Sequence, residues 1–366
     1  MRLLIAYPNP YTFSETFVRD HIHYLKPVET LTGGWLPYLT KEGNSIFIFP
    51  LNINPIRALV RKISPKLYGW LYTYSLKKYL IQKNIEYIMT EYGVTATNMH
   101  NALRGTNIKL TAHFHGFDAH HFPTLQKYKS KYIEMMENIN NVIVVSEDMK
   151  TALSSYGISS NKIYVNSCGV DTQKFKQVFP ALNKNILLFT GRFTGKKSPM
   201  NTIKAFEIVL KKIPDAKLIM IGGGELFEPS KQLINELGIQ DSVELLGVKK
   251  PEEIIEISQR AKIFVQHSMH TVEGDSEGTP VALLEAASMG LPVVSTKHAG
   301  IKQAVIHAQT GYLVEEGDYE KMAEYIIDLL SDNDKVESFG NNAREHMIHN
   351  YEMKKQILNI QNILTK

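Results

Sequence analysis

A single cysteine, Cys168, in 366 residues leaves nothing to pair with inside the chain and no thiolate cluster to hold a structural zinc. A reducing compartment is therefore expected. Long hydrophobic runs are missing as well, for no stretch approaches the roughly 18 apolar residues of a membrane span. The opening MRLLIAYPNP has one arginine and an apolar run that stops at Pro8, too short for the core of a secretory signal. A chain that neither crosses a membrane nor is exported by an ordinary signal is expected. Net charge is small, +4 from 41 Lys+Arg and 37 Asp+Glu, and 43% of residues are hydrophobic. That balance excludes disordered and fibrous classes, and the length suits two domains.

Acidic residues are absent from 43 to 85, which instead holds Arg57, Arg61, Lys62, Lys66, Lys77, Lys78 and Lys83 among Tyr68, Trp70, Tyr72, Tyr74 and Tyr79. Residues 1 to 180 carry 20 Lys/Arg and 12 Asp/Glu, whereas the remainder carries 21 and 25. Cations interleaved with aromatic rings suit an anionic membrane surface, here through 57–83. They equally suit a solvated helix pair with an aromatic core face. Nucleic acid is not expected, because no recognised binding motif accompanies the charge.

Short apolar runs alternate with amphipathic stretches throughout, the pattern of parallel strands joined by helices. The fold class is α/β, with each half forming its own doubly wound, Rossmann-like layer. In the first half LLIAY (3–7), SIFIF (45–49), IEYIM (85–89), KLTAHF (109–114) and NVIVV (141–145) read as strands. Helices are expected over 15–25, 94–103, 126–138 and 147–156. In the second half NILLFTG, AKLIMIGGG, SVELLG, AKIFVQ, LPVVST and GYLV repeat the scheme, followed by helices over 318–330, 334–349 and 352–364. The segment 167–184 has no strong period and reads as a linker. The expected domains are 1–170 and 183–349, with 350–366 a helix returning to the first domain. Two such layers should leave a cleft at the carboxyl ends of their strands.

The segment GDSEGTPVALLEAASMGLPVV, 274–294, is rich in signals. Thr279 and Pro280 read as an N-cap and first helical residue, and Gly290 as a left-handed cap, so a helix of about 280–289 is expected. Glu277 precedes it, and the amides of Gly278 and Thr279 lie at the positive end of its dipole, where an anion is favoured. Glu285 has only Val281, Ala282, Ser288 and Met289 at helical spacing, so its donors come from elsewhere. Vicinal ligand hydroxyls or a neighbouring loop's backbone would each supply them. In FTGRFTGKKSPMNTIKAFEIV, 189–209, Arg192, Lys196 and Lys197 crowd a strand end beside a helix N-terminus, which suits a diphosphate or is a solvated basic loop. Gly222, Gly223 and Gly224 would admit a close ligand.

HFHGFDAHH, with His113, His115, Asp118, His120 and His121, invites a metal, and alternation places His113 and His115 on one side. A binuclear metallohydrolase would use H-x-H-x-D-H, however, and here Phe117 occupies the aspartate's place. No metal site is expected. Asp332 and Asp334 read as turn and capping residues.

G-R-x4-K at 191–197, the E-x7-E of Glu277 and Glu285, and GYLVEEGD at 311–318 together resemble a retaining glycosyltransferase of family 4 with the GT-B fold. PNPYTFSETFVRDHIHYL, FHGFD, VIVVSEDMKTAL and KIYVNSCGVDTQKF are similar to bacterial members that build exopolysaccharide, capsule or lipopolysaccharide. The resemblance implies two Rossmann-like domains facing a central cleft. It implies transfer of a sugar from a nucleoside-diphosphate donor, UDP before GDP, to a glycan or polyprenyl-linked acceptor, with no cofactor and no metal. Arg192 and Lys197 would neutralise the diphosphate, and Glu277 would grip the sugar with Gly278, Thr279 and Pro280. His115 would reach the same sugar, and Glu285 would hold the ribose. Gly223 and Gly224 would line the nucleotide, with the backbone near Val248 at the base. Ser14, Glu15 and Thr16 occupy a loop that is often glycine-rich in the family. A cytoplasmic location on the inner membrane face follows. A GT-B sugar-nucleotide epimerase or a catalytically silent partner subunit would share these motifs in whole or in part.

Overall fold

The computed structural model describes residues 1–9, 15–48, 50–177, 182 and 184–366. They divide into two compact units, Met1–Asn166 with Ile357–Lys366, and Ser167–Gln356.

In the first unit the strands are β1 (Leu3–Ala6), β2 (Glu29–Thr32), β3 (Leu39–Thr40), β4 (Tyr87–Glu91), β5 (Lys109–Phe114), β6 (Asn141–Val144) and β7 (Ile163–Val165). They form one sheet in the order β3-β2-β1-β4-β5-β6-β7, parallel except for the β2–β3 pair. LLIA and NVIV are buried along their whole length, as strands of a parallel sheet covered on both faces must be. Two expectations fail here. SIFIF forms no strand among its described residues. Ser45 makes only an isolated bridge to Leu39, while Phe47 packs its ring against Tyr68 and Tyr72. The apolar run covers a helix rather than entering the sheet, a choice that hydrophobicity alone does not encode. Conversely ETLT, half polar, is strand β2, and its buried Glu29 is held by Lys83 Nζ at 2.5 Å and the Tyr79 hydroxyl at 2.9 Å.

The helix expected from 126 spans Phe122–Met135 instead, because Pro123 sits comfortably in a first turn. Helix Glu147–Ser155 is capped by the Ser146 hydroxyl, which accepts from Met149 N at 3.3 Å.

The second unit holds β8 (Ile186–Thr190), β9 (Lys217–Ile221), β10 (Val243–Leu245), β11 (Ile263–Gln266), β12 (Val293–Thr296) and β13 (Gly311–Val314). All pairs are parallel, in the order β10-β9-β8-β11-β12-β13. The six runs read from the sequence are these six strands. Leu187, Phe189, Leu218, Met220 and Val265 form their core with Ile203 and Phe206 of helix Pro199–Lys212 and Ile326 and Leu329 of helix Tyr319–Leu330. Strand order reverses between β8 and β11, and between β1 and β4 in the first unit. At such points the loops leaving the carboxyl ends diverge and open a crevice.

Asp318 and Asp332 cap their helices by accepting from Lys321 N and Lys335 N, each at 2.9 Å. Asp332 is thus a capping residue, as its place between two helices suggests. The last helix is Met353–Thr365. In its part assigned to the first unit, the carbonyls of Ile363 and Thr365 accept from Asn141 Nδ2 at 2.7 Å and Lys109 Nζ at 2.9 Å. The described part of the segment read as a linker is packed within the second unit. Val170 bridges Glu352, and a Cβ on Gly169 would lie 2.8 Å from Met353 Cα.

The basic aromatic region is a helix pair, Asn54–Ile63 and Pro65–Gln82. Several of its residues face inward: Arg57 is buried under the Tyr38 ring and bonds Asn54 Oδ1 at 2.7 Å, and Tyr68 and Tyr72 are core. Lys77 donates to the Arg104 carbonyl at 2.7 Å. Leu59, Ile63, Leu67, Trp70 and Tyr74 are exposed. No helix among the described residues is long and apolar enough to cross a membrane.

Candidate functional site

The second unit gathers its candidates where β8, β9 and β11 end. Beyond β8, Arg192 is exposed, and its guanidinium makes no hydrogen bond or ion pair among the described residues. The chain then makes a short 3-10 turn, Gly195–Lys197, which turns both lysines inward. Lys197 Nζ lies 3.2 Å from Glu277 Oε1 and 3.4 Å from Gln266 Oε1. Lys196 Nζ meets Asp275 Oδ1 at 3.2 Å and the Ser276 carbonyl at 3.4 Å. The basic loop therefore grips the segment 275–277, and of its cations Arg192 alone is exposed.

Burial alone would raise the Glu277 carboxyl, but Lys197 and then Lys196 more than offset it and hold it below the usual carboxylate range. Burial lowers the Lys197 ammonium below the usual lysine value, with Glu277 pulling the other way.

Helix Val281–Ser288 starts one residue later than expected. Pro280 is its N-cap, its carbonyl accepting from Leu283 N and Leu284 N at 3.1 and 3.3 Å. Thr279 is displaced from the capping role and its Oγ1 accepts from Ser167 Oγ at 3.1 Å. Gly300 supports this turn from below. Its N–H donates to the Gly278 carbonyl at 2.9 Å, and a Cβ there would lie 2.3 Å from Thr279 Oγ1. Gly290 closes the helix at φ 83°, as read from the sequence.

Glu285 projects from this helix into a small cavity that Thr190, Leu188, Phe175 and Ile254 also line. Thr190 Oγ1 there is buried and has no hydrogen-bond partner.

The three glycines after β9 differ in their reasons. A Cβ on Gly222 would meet Gly191 O at 1.8 Å, and on Gly224 would meet Phe193 O at 2.6 Å, with φ of 139° and 145°. Both are demanded by packing and backbone. Gly223 has neither constraint, and its nearest neighbour would be Val248 Cγ2 at 3.3 Å. Gly223 and Val248, far apart in sequence, thus share one surface.

In the first unit, the ends of β4 and β5 place three histidines around the fully buried Glu91. His21 Nδ1 lies 2.7 Å from Oε1, His115 Nε2 2.7 Å from Oε2, and His113 Nδ1 3.7 Å from Oε2. Burial would raise Glu91, but His21 and His115 hold it far below the usual range. Burial, then His115, keeps His113 well below the ordinary histidine value, and neither of its ring nitrogens has a hydrogen-bond partner. Phe17 stacks on His115 with centroids 4.0 Å apart. Asp118 accepts from the amides of Gly93 at 2.7 Å and His115 at 2.9 Å. It clamps the turn that presents His115, while His121 Nδ1 pairs with Thr124 Oγ1 at 2.8 Å. Glu15 Oε1 accepts from the Tyr92 hydroxyl at 2.8 Å, and Thr16 opens helix Thr16–Leu25. Ser14 lies outside the described residues.

His21, Glu91 and His298 carry no local sequence motif, and their importance appears only in three dimensions. Among the described residues two groups have the composition and spacing to hold a metal, His21/Glu91/His113 and His270/His298/Glu316. Within each, the carboxylate is hydrogen-bonded by imidazole: Glu91 by His21 and His115, Glu316 by His270 and His298.

The model for "Glycosyl transferases group 1" matches residues 170–346, and that for "Glycosyltransferase Family 4" matches 32–174. The amylovoran biosynthesis glycosyltransferase AmsK of Erwinia amylovora is 33% identical over 218 residues, 59% of this chain and 54% of its own. The putative colanic acid biosynthesis glycosyltransferase WcaL of Salmonella typhimurium is 30% identical over 264 residues, 71% of this chain and 64% of its own. The chain thus spans between about half and two-thirds of the length of these curated relatives. Among solved structures, Anabaena Alr3699/HepE in complex with UDP superposes with a TM-score of 0.79 at 17% identity, over 100% of both chains. The lipopolysaccharide outer core galactosyltransferase WaaB, in its apo form, gives 0.71 at 15% identity over 99% of each. These likenesses show the GT-B fold.

Proposed function

The chain belongs to the group 1 glycosyl transferases, with a Family 4 region in its first half, and from that membership we propose that it moves a sugar from a nucleoside-diphosphate sugar to a hydroxyl of a lipid-linked or cell-surface glycan. UDP-sugars are favoured over GDP-sugars, transfer proceeds with retention, and no metal or other cofactor takes part. The observation that carries this reading is the junction of exposed Arg192, the buried Lys197–Glu277 pair and the N-terminus of helix Val281–Ser288 at one end of one sheet. Arg192, with Lys197 behind it, meets charge developing on the departing diphosphate, where preorganised cations act most strongly. Glu285 accepts from the ribose hydroxyls, and Gly223 and Val248 form the surface for the base.

Glu277 and the amides of Gly278 and Thr279 hold the sugar and its phosphate. The bond from the anomeric carbon to the phosphate oxygen breaks as the acceptor oxygen bonds on the same face. The acceptor proton passes to the leaving phosphate.

The exposed Leu59, Ile63, Leu67, Trp70 and Tyr74, beside Arg61, Lys62, Lys66 and Lys78, support peripheral docking on an anionic inner leaflet where a lipid-linked acceptor resides.

Nucleoside diphosphate release from a panel of UDP- and GDP-sugars, with and without bacterial membrane lipid extract, tests the reading. Release from one donor, stimulated by extract and lost in Glu285→Ala, is expected. Equal activity in that variant, or donor conversion with no acceptor, would overturn it in favour of another use of the fold.

A further inference from the structure

The loop that carries Glu277 rests on a buried imidazole. His298, fully buried at the end of β12, has Nε2 3.1 Å from the Glu277 amide nitrogen and 3.0 Å from Ser276 Oγ. An amide N–H only donates, so Nε2 is the unprotonated, accepting nitrogen. The ring proton is therefore on Nδ1, which points at Glu316 Oε1 2.6 Å away. Glu316 also accepts from the His270 amide at 2.8 Å and from its Nδ1 at 2.9 Å. The next residue, Gly317, donates its N–H to His267 Nε2 at 2.8 Å. The strand-end segment holding Glu316 is thereby tied at both residues.

We propose that His298, locked in its Nδ1–H tautomer by Glu316, is a positioning residue that sets the Glu277 backbone and so the sugar-gripping loop. Glu316 acts through it, which gives the GYLVEEGD motif a mechanical task in the site. The chain of bonds is continuous: carboxylate, Nδ1–H, Nε2, and the Glu277 N–H. Each link constrains the next, because reversing the tautomer would set two donors face to face at Glu277. Beside this link the Gly300 amide holds the Gly278 carbonyl, so residues 298 and 300 carry the loop from one side while Lys196 and Lys197 hold it from the other. A support of this kind, one step removed from the ligand, changes function through geometry rather than contact.

The functional part rests on the assignment of Glu277 to the donor sugar; the structural part does not. Three variants separate them. His298→Gln keeps an acceptor for the Glu277 amide, His298→Leu removes it at similar volume, and Glu316→Ala releases the tautomer. Hydrogen exchange at the Glu277 amide, which needs no substrate, should be about tenfold faster or more in His298→Leu and Glu316→Ala and close to wild type in His298→Gln. Unchanged protection in His298→Leu would overturn the positioning role whatever the enzyme's activity.

With the donor that wild type turns over, transfer should fall about 10- to 100-fold in His298→Leu and Glu316→Ala and recover in His298→Gln. Affinity for the matching nucleoside monophosphate, UMP or GMP by calorimetry, should stay within about twofold, since it lacks both the sugar and the phosphate that bears it. Parallel loss of nucleotide affinity and transfer would mean general collapse of the site and overturn the inference. Wild-type inactivity on every donor would strike at glycosyl transfer instead, leaving the exchange result to decide the loop's support.

Discussion

Lys197 Nζ and Glu277 Oε1 lie 3.2 Å apart with side-chain exposures of 10% and 9%, joining the loop after β8 to the turn before helix Val281–Ser288. A pair so removed from water is costly to break from one side, because the remaining charge stays buried. Lys197→Met and Glu277→Gln should each destabilise the second unit, by about 3–5 kcal/mol for the lysine. The double variant should cost less than the sum, since neither charge is then stranded. Urea unfolding of the three variants measures this; strict additivity would show that the two groups do not interact.

Glycines of one run should part company. Gly222→Ala meets both a positive φ and the Gly191 carbonyl, so a loss of about 3 kcal/mol or more in unfolding free energy is expected. Gly223→Ala should fold normally and bind the donor nucleotide more weakly. Thermal melts with nucleotide titrations distinguish the two, and weak folding of Gly223→Ala would remove it from the ligand surface.

Acid sensitivity is expected at His267. Burial pushes its pKa down to about 4 from 6.5, with Glu316 and Asp318 pulling the other way. The folded ring stays neutral between those values while the unfolded one takes up a proton. Stability from this residue is therefore full above pH 6.5, falls as pH drops toward 4, and changes no further below, a loss of about 3 kcal/mol across the window. His267→Gln, which keeps an acceptor for the Gly317 amide, should flatten that part of the stability–pH curve. An unchanged slope would assign the acid sensitivity elsewhere.

The outer face of the helix pair offers a test of membrane docking. Wild type should float with anionic liposomes and lose binding as salt rises. Trp70→Ala combined with Ile63→Ala should weaken it at every salt concentration, and Lys62→Glu with Lys66→Glu by about 1 kcal/mol or more per residue at low salt. Absence of flotation at low salt would rule out this surface as a lipid contact.

The second half was the more readable of the two. Its strands centre on short apolar runs, interrupted in β10 by Glu244 alone, with amphipathic helices between them, so period suffices. The first half hides β2 in the half-polar ETLT and shows a false strand in SIFIF. The first depends on Lys83 and Tyr79 satisfying Glu29, the second on Phe47 finding two tyrosine rings. Both depend on partners distant in the chain, and no local pattern records them.

The same division holds for the site. Alternating apolar runs, the proline at a helix start and the glycine at its end are local matters of backbone sterics and side-chain burial, and they specify an α/β chain with a basic loop and an anion-ready helix terminus. Folding alone decides that Lys196 and Lys197 turn inward while Arg192 stays exposed. It also brings Gly223 to Val248, gathers three histidines on Glu91, and sets His298 beneath the Glu277 amide. Hydrogen bonds and ion pairs act over a few ångströms in space, and residues that meet at that range lie on different strands whose spacing in sequence carries no trace of the meeting.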